Sequence, residues 1–172
     1  MVIAAKRIVF VGPRRVALEP FEVPEPGPRQ VLVRATRTLV SAGTELKAYV
    51  GEDVVRRDPP YPVYPGYSHV GVVERIGAAV AEVRAGDRVA TQRTHASHVL
   101  LDLEPAPPIG AEAAPRPGRR RGAEWIAVVP DGVADEQAAF AVLGSVALHG
   151  VRKAALRLDE TCAVAGQGVV GQ

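Results

Sequence analysis

Short apolar runs broken by glycine and proline fill the first hundred positions, and they predict strands rather than helices. Residues 5–11 read as a strand ended by Gly12-Pro13, and residues 19–30 (EPFEVPEPGPRQ) as a proline-punctuated extended connector. Over 31–38, Val31, Val33 and Ala35 alternate with Leu32, Arg34 and Thr36, the pattern of a half-buried strand. Ser41-Ala42-Gly43-Thr44 opens a short helical turn that ends near Gly51. The proline-rich stretch 58–66 reads as extended loop. Strands follow at 70–76, 88–92 and 95–102, with Gly86-Asp87 turning the chain into the second. Short strands at roughly 10-residue spacing predict a compact β-barrel or sandwich.

The pattern then changes. Residues 103–124 carry little periodicity and read as a flexible surface insertion. Residues 125–129 resume as a strand, closed by Pro130-Asp131-Gly132. One long helix is predicted from Asp135, as its cap, to about Leu156, with Ala138, Ala139, Val142, Leu143, Val146 and Val151 on its apolar face. Residues 161–165 form the last predicted element, a buried strand that places Cys162 as a small buried hydrophobe.

Composition narrows the function classes. Hydrophobic residues make up 47% of the 172, enough for a core, while 15 prolines and 17 glycines favour turns and short strands over a helical bundle. Lys and Arg total 21 against 19 Asp and Glu, so no global field draws nucleic acid or an anionic membrane. The run Arg119-Arg120-Arg121 reads as a solvated loop, with a specific anion site as its alternative. A single cysteine leaves no intrachain disulfide and no cysteine-rich zinc knuckle. The N-terminal apolar run is too short for a signal peptide or membrane span, so a cytoplasmic location is expected.

Gly166-x-Gly168-x-x-Gly171 follows the last apolar run, in the context of a dinucleotide fingerprint. There the first glycine makes the tight turn, the second admits a pyrophosphate to the backbone, and the third packs helix on strand. The helix it should open is missing, as is the acidic residue expected about 20 positions on. A glycine-rich tail is the alternative reading.

In order and spacing, these segments resemble the medium-chain dehydrogenase/reductase family. The carriers are Ser41-Ala42-Gly43-Thr44-Glu45-Leu46, Tyr64-Pro65-Gly66-Tyr67-Ser68 with Gly71-Val72-Val73, Ala85-Gly86-Asp87-Arg88-Val89, His95-Ala96 with Val99, and Leu143 to Gly150 ahead of the fingerprint. The resemblance implies a mainly β fold: a GroES-like barrel domain over 1–130, followed over 131–172 by a linking helix and the first strand and glycine loop of a truncated Rossmann α/β domain. It implies an NAD(P)-dependent oxidoreductase that moves hydride to or from a carbonyl, alcohol or activated alkene, with NAD or NADP bound in an intact parent.

Zinc-dependent members place a cysteine where this chain has Ala42, and a histidine with an acidic neighbour where it has Tyr67 and Ser68. Alanine has no donor atom and a phenol is a poor zinc ligand, so no zinc is expected. The four-cysteine structural lobe is absent as well, and the variants are most similar to a zinc-less branch that includes bacteriochlorophyllide-type dehydrogenases.

The same resemblance names the candidate site residues. Thr44 stands where the family holds a hydroxyl against the reacting oxygen, with capping of the following turn as its other reading. Lys47 matches a position that continues a proton relay in some members, or is simply solvated. Tyr67 either donates to a carbonyl in the emptied metal position or fills its volume. Ser145 and Val146 match helix positions near the nicotinamide, and Gly166, Gly168 and Gly171 would cradle the pyrophosphate. Of the histidines, His69 is expected to be structural, His95 and His98 to face opposite sides of one strand, and His149 to be packed or hydrogen-bonded.

The chain alone is expected to lack most of the nucleotide domain, to expose Ala163, Val164, Val169 and Val170, and to associate. Expected partners are a small-molecule substrate and either a second copy or a complementing Rossmann chain, with neither nucleic acid nor membrane. A non-catalytic binding or assembly module stands as the alternative from a different class.

Overall fold

A computed structural model describes residues 2–52, 61–104 and 124–172. Residues 105–123 of the predicted 103–124 insertion and the first residues of the 58–66 loop lie outside the described residues, while Leu103, at the start of that insertion, is buried in the core rather than on a surface loop. The mainly β reading holds. Among the described residues seven strands precede the last helices: β1 (Val2–Gly12), β2 (Arg15–Pro24), β3 (Gln30–Thr38), β4 (His69–Ile76), β5 (Arg88–Thr91), β6 (His98–Asp102) and β7 (Ile126–Val128). Helix α1 (Thr44–Val50) sits between β3 and β4, and α2 (Asp135–Ala138) and α3 (Ala141–Ala154) follow β7.

Strands β1 and β2 form an antiparallel hairpin, while the others make a five-stranded antiparallel sheet in the order β6-β3-β4-β5-β7. Part of the expected connector is therefore strand. Its prolines fit because β2 pairs on one side only, with β1, and an edge strand tolerates residues that donate nothing to a ladder.

The expectation of a half-buried β3 is also corrected. Val31, Leu32 and Val33 are all fully buried. Val31 and Val33 face a core with Val73, Val89, Val99 and Leu101, while Leu32 points the other way, onto Ala5 and Val23 of the hairpin. Both faces are covered over 31–33, so the apolar residues there run continuously, while Arg34 and Arg37 farther along the strand are exposed. Backbone bonds tie the hairpin to the sheet's connections: Ile8 N–H to His95 O at 2.9 Å, Phe10 N–H to Val63 O at 2.8 Å and Ser97 N–H to Lys6 O at 2.8 Å. These bonds close the strands into an open barrel.

The long helix is broken at Ala139–Phe140 into α2 and α3. Ala134, not Asp135, holds the cap position, and its N–H donates to Gln137 Oε1 at 2.9 Å. Asp135 turns away because its carboxylate receives Arg88 at 2.8 Å. Ala138 and Ala139 pack on Val70, Ala90 and Val129, and Val142 and Leu143 are buried, but Val146, Leu148 and Val151 are exposed. His149 is exposed rather than packed.

Residues 161–165 do not form a buried strand. No strand lies beside them among the described residues to take their hydrogen bonds, and Cys162 is exposed with its neighbours. No described helix is long and apolar enough to cross a membrane.

Candidate functional site

Helix α1 begins where β3 leaves the sheet. Its N-cap is Gly43, and no side chain caps it, so the capping role weighed for Thr44 falls away. Thr44 is the first helical residue and is exposed, as is Lys47. The helix buries Glu45 and Ala48 instead, three positions apart on one face. Glu45 is anchored from two sides: Ser41 N–H donates to Oε1 at 2.9 Å, and the Glu45 N–H donates to Ser41 O at 3.1 Å.

The other Glu45 oxygen, Oε2, lies 2.7 Å from His95 Nε2. Side-chain exposure is 7% for Glu45 and 3% for His95, so water does not screen this pair. His95 lies in the segment ahead of β6, not within a strand, and its Nδ1 is buried with no hydrogen-bond partner among the described residues. His98, inside β6, is half-buried with Nε2 3.6 Å from Glu74. The two histidines do not act together.

The turn before β4 meets the same histidine. Gly66 adopts φ +103°, and a Cβ placed there would lie 2.6 Å from His95 N and 2.9 Å from its Cγ. Only glycine allows this contact with that backbone. Tyr67 follows, half-buried, with no partner for its phenol among the described residues. Ser68 and His69 are buried behind it. His69 Nδ1 lies 3.4 Å from Thr91 Oγ1, and burial, with Arg93 and His95 adding to it, pushes its pKa down to about 4.

Thr44 and Tyr67 are thus carried by two segments that converge on His95. The cofactor-side candidates lie elsewhere in the fold. Ser145 and Val146 are exposed on α3, where Ser145 Oγ donates to Val142 O at 2.7 Å. No hydrogen bond or ion pair among the described residues joins α1 or Tyr67 to α3 or the glycine segment.

Two glycines of that segment are held by steric need. Gly166 has φ +105°, and a Cβ on Gly171 would collide with Gly166 O, so both positions demand glycine. Gly168 O receives the N–H groups of Gly171 and Gln172 at 2.9 and 3.1 Å. Ala42 offers no ligand atom, and no described group of three or more His, Cys, Asp or Glu is placed to hold a metal ion.

Sequence reasoning passes over Glu45 as a site residue, and it reads His95 as a carrier of the resemblance and against His98, not as a partner of Glu45. The available signal is a carboxylate at 45 sharing a helix face with Ala48, which burial leaves in need of a partner.

Residues 27–107 match the alcohol dehydrogenase GroES-like domain. The chain is 30% identical to an alcohol dehydrogenase of Cupriavidus necator across 96% of its own length and 52% of that protein's. To human sorbitol dehydrogenase it is 26% identical, over 95% of the chain and 49% of that protein. It spans about half the length of the curated relatives it matches. Among solved structures, it superposes on 2R,3R-butanediol dehydrogenase from Bacillus subtilis with a TM-score of 0.72 and 20% identity, covering 97% of the chain and 52% of that structure. A quinone oxidoreductase from Pseudomonas syringae gives 0.62 and 23%, over 87% and 41%.

Proposed function

The chain belongs to the medium-chain dehydrogenase/reductase family, and from that premise we propose that it is the substrate-side part of an NAD(P)-dependent oxidoreductase working without catalytic zinc. The observation that carries this reading is the convergence of the Thr44 and Tyr67 segments on one buried histidine, with Ala42, Tyr67 and Ser68 at the positions that bear the metal and its neighbour in zinc-dependent members.

When bound, a nicotinamide supplies or takes up the hydride. The backbone of Gly166, Gly168 and Gly171 would hold its pyrophosphate, and Ser145 and Val146 would lie on the nicotinamide side. The remaining chemistry belongs to the oxygen of the substrate. In the reducing direction that oxygen gains negative charge as hydride reaches carbon, and donors aimed at it stabilise the charge in place of a metal. The Tyr67 phenol, without a partner among the described residues, has a proton to offer there. The Thr44 hydroxyl is the second donor, and Lys47, one helical turn on, would pass the proton to solvent. The substrate class is a small carbonyl, alcohol or activated alkene.

A second reading is that this half is completed by further polypeptide. The exposure of Val146, Leu148, Val151 and Leu158 favours a protein surface against α3 and the segment after it.

The test joins this chain to a complete nucleotide-binding half and follows nicotinamide fluorescence on titration, then oxidation of the reduced nucleotide against panels of carbonyls and quinones. Nucleotide binding with turnover is expected, and Tyr67→Phe should lower turnover about 100-fold, the scale of a lost general acid. Turnover unchanged in Tyr67→Phe removes the phenol from the mechanism. Absence of both binding and turnover removes the oxidoreductase reading and leaves a binding module.

A further inference from the structure

We propose that Glu45 and His95 form a positioning dyad that fixes Thr44 and Tyr67 relative to each other. The inference rests on the reading of those two side chains as the donors to the substrate oxygen.

Each donor stands one residue from a contact of the same imidazole. Thr44 adjoins Glu45, whose carboxylate takes His95 Nε2 at 2.7 Å, and Tyr67 adjoins Gly66, against whose Cα the His95 ring packs. The His95 backbone extends the link, since its N–H donates to Pro65 O at 3.0 Å and its carbonyl accepts from Ile8 N–H at 2.9 Å. One residue therefore holds α1, the turn before β4 and strand β1.

Glu45 is equally committed. One oxygen serves the Ser41 N–H at the entry to α1 and the other serves His95, so the carboxylate cannot turn without abandoning a buried donor. A buried pair of this kind is weak evidence for stability, and it is better suited to specifying one geometry among several. An apolar pair of equal volume would fill the space and let α1 slide against the turn. Donors that must both reach one oxygen tolerate little sliding, because displacements of about 1 Å are costly in such sites.

The experiment uses isotopically labelled chain, with Glu45→Gln and His95→Phe as variants. The first keeps the shape of the side chain but offers one acceptor oxygen to two donors. The second keeps a ring against Gly66 but offers no N–H. The expected result is cross-talk: the Tyr67 amide signal moves or broadens in Glu45→Gln, and the Thr44 signal does so in His95→Phe, while Gly77, at the far end of β4, holds its position. Perturbation confined to the neighbours of each substituted residue overturns the proposal.

Should either variant fail to fold, the unsubstituted chain decides. Its His95 proton should reside on Nε2 and exchange slowly with water, and a proton on Nδ1 or fast exchange overturns the dyad. These spectra are recorded with neither nucleotide nor substrate added. Loss of nicotinamide binding alongside intact cross-talk therefore overturns the oxidoreductase reading and leaves the dyad standing.

Discussion

Arg88, on β5, places its guanidinium 2.8 Å from the Asp135 carboxylate and also donates to Val133 O at 2.9 Å and Pro130 O at 3.1 Å. One side chain thereby pins the end of the barrel to the start of α2. Arg88→Met keeps the aliphatic stem and removes all three bonds. It should lower stability by about 2 kcal/mol, the scale for partly buried charge-assisted hydrogen bonds. Urea unfolding reads this directly, and an unchanged midpoint and slope would show the network to be dispensable.

Asp135 carries a pH consequence. Its carboxyl is held below the usual range, first by the Thr36 hydroxyl and then by Arg88. A carboxylate with a depressed folded value adds stability above its unfolded value, and that contribution is lost as pH falls through the folded one. Asp135→Asn should flatten the acid limb of the stability profile below about pH 4, as denaturant melts at successive pH values would show.

His69 acts in a higher window. Burial holds it neutral down to about pH 4, whereas the unfolded chain takes up a proton near 6.5. Between those values the unfolded state binds more protons, so stability falls as pH is lowered from 6.5 to 4, by at most about 3 kcal/mol. His69→Gln should remove that slope while leaving the slope from Asp135. A profile unaltered in this window would mean that His69 charges freely in the fold.

Gly71, on β4, pairs with Ala35 of β3. A Cβ there would stand 2.6 Å from Val33 Cγ1 and nearer still to the Arg34 carbonyl, which is backbone and cannot step aside. Gly71→Ala should cost about 3 kcal/mol or more, or prevent folding. A thermal midpoint equal to that of the parent chain would contradict this register.

Zinc should be absent from protein washed with chelator. Elemental analysis giving one zinc per chain would overturn the reading of Ala42, Tyr67 and Ser68 as a disabled site.

The turns are legible in the sequence because glycine and proline punctuate by steric rule, and α1 with its end at Gly51 follows from them. The burial of β3 is not. Alternation assumes one wet face, and nothing local to 31–38 reveals that a hairpin from the N-terminus covers Leu32. The break between α2 and α3 escapes for a related reason, since helical periodicity runs through Ala139–Phe140 without interruption. The candidates Thr44 and Tyr67 come from the family resemblance. The Glu45–His95 pair spans 50 positions, and no periodicity connects residues that far apart. Residues 161–165 show the converse. Their apolar pattern reads as a strand, but a strand exists only where neighbours accept its hydrogen bonds.

The bonds that tie β1 to the connection before β6 also set an order for synthesis. Lys6 and Ser97 are 91 positions apart, so the outer edge of the hairpin leaves the ribosome long before its partner is made. During that interval an apolar ribbon with an open edge is free to pair with other nascent chains. Slower translation of the first hundred codons would lengthen the exposure, and a chaperone that shields extended segments would shorten it. The Lys6–Ser97 contact thus closes only after 91 further residues have been made, and until then the edge it covers is open.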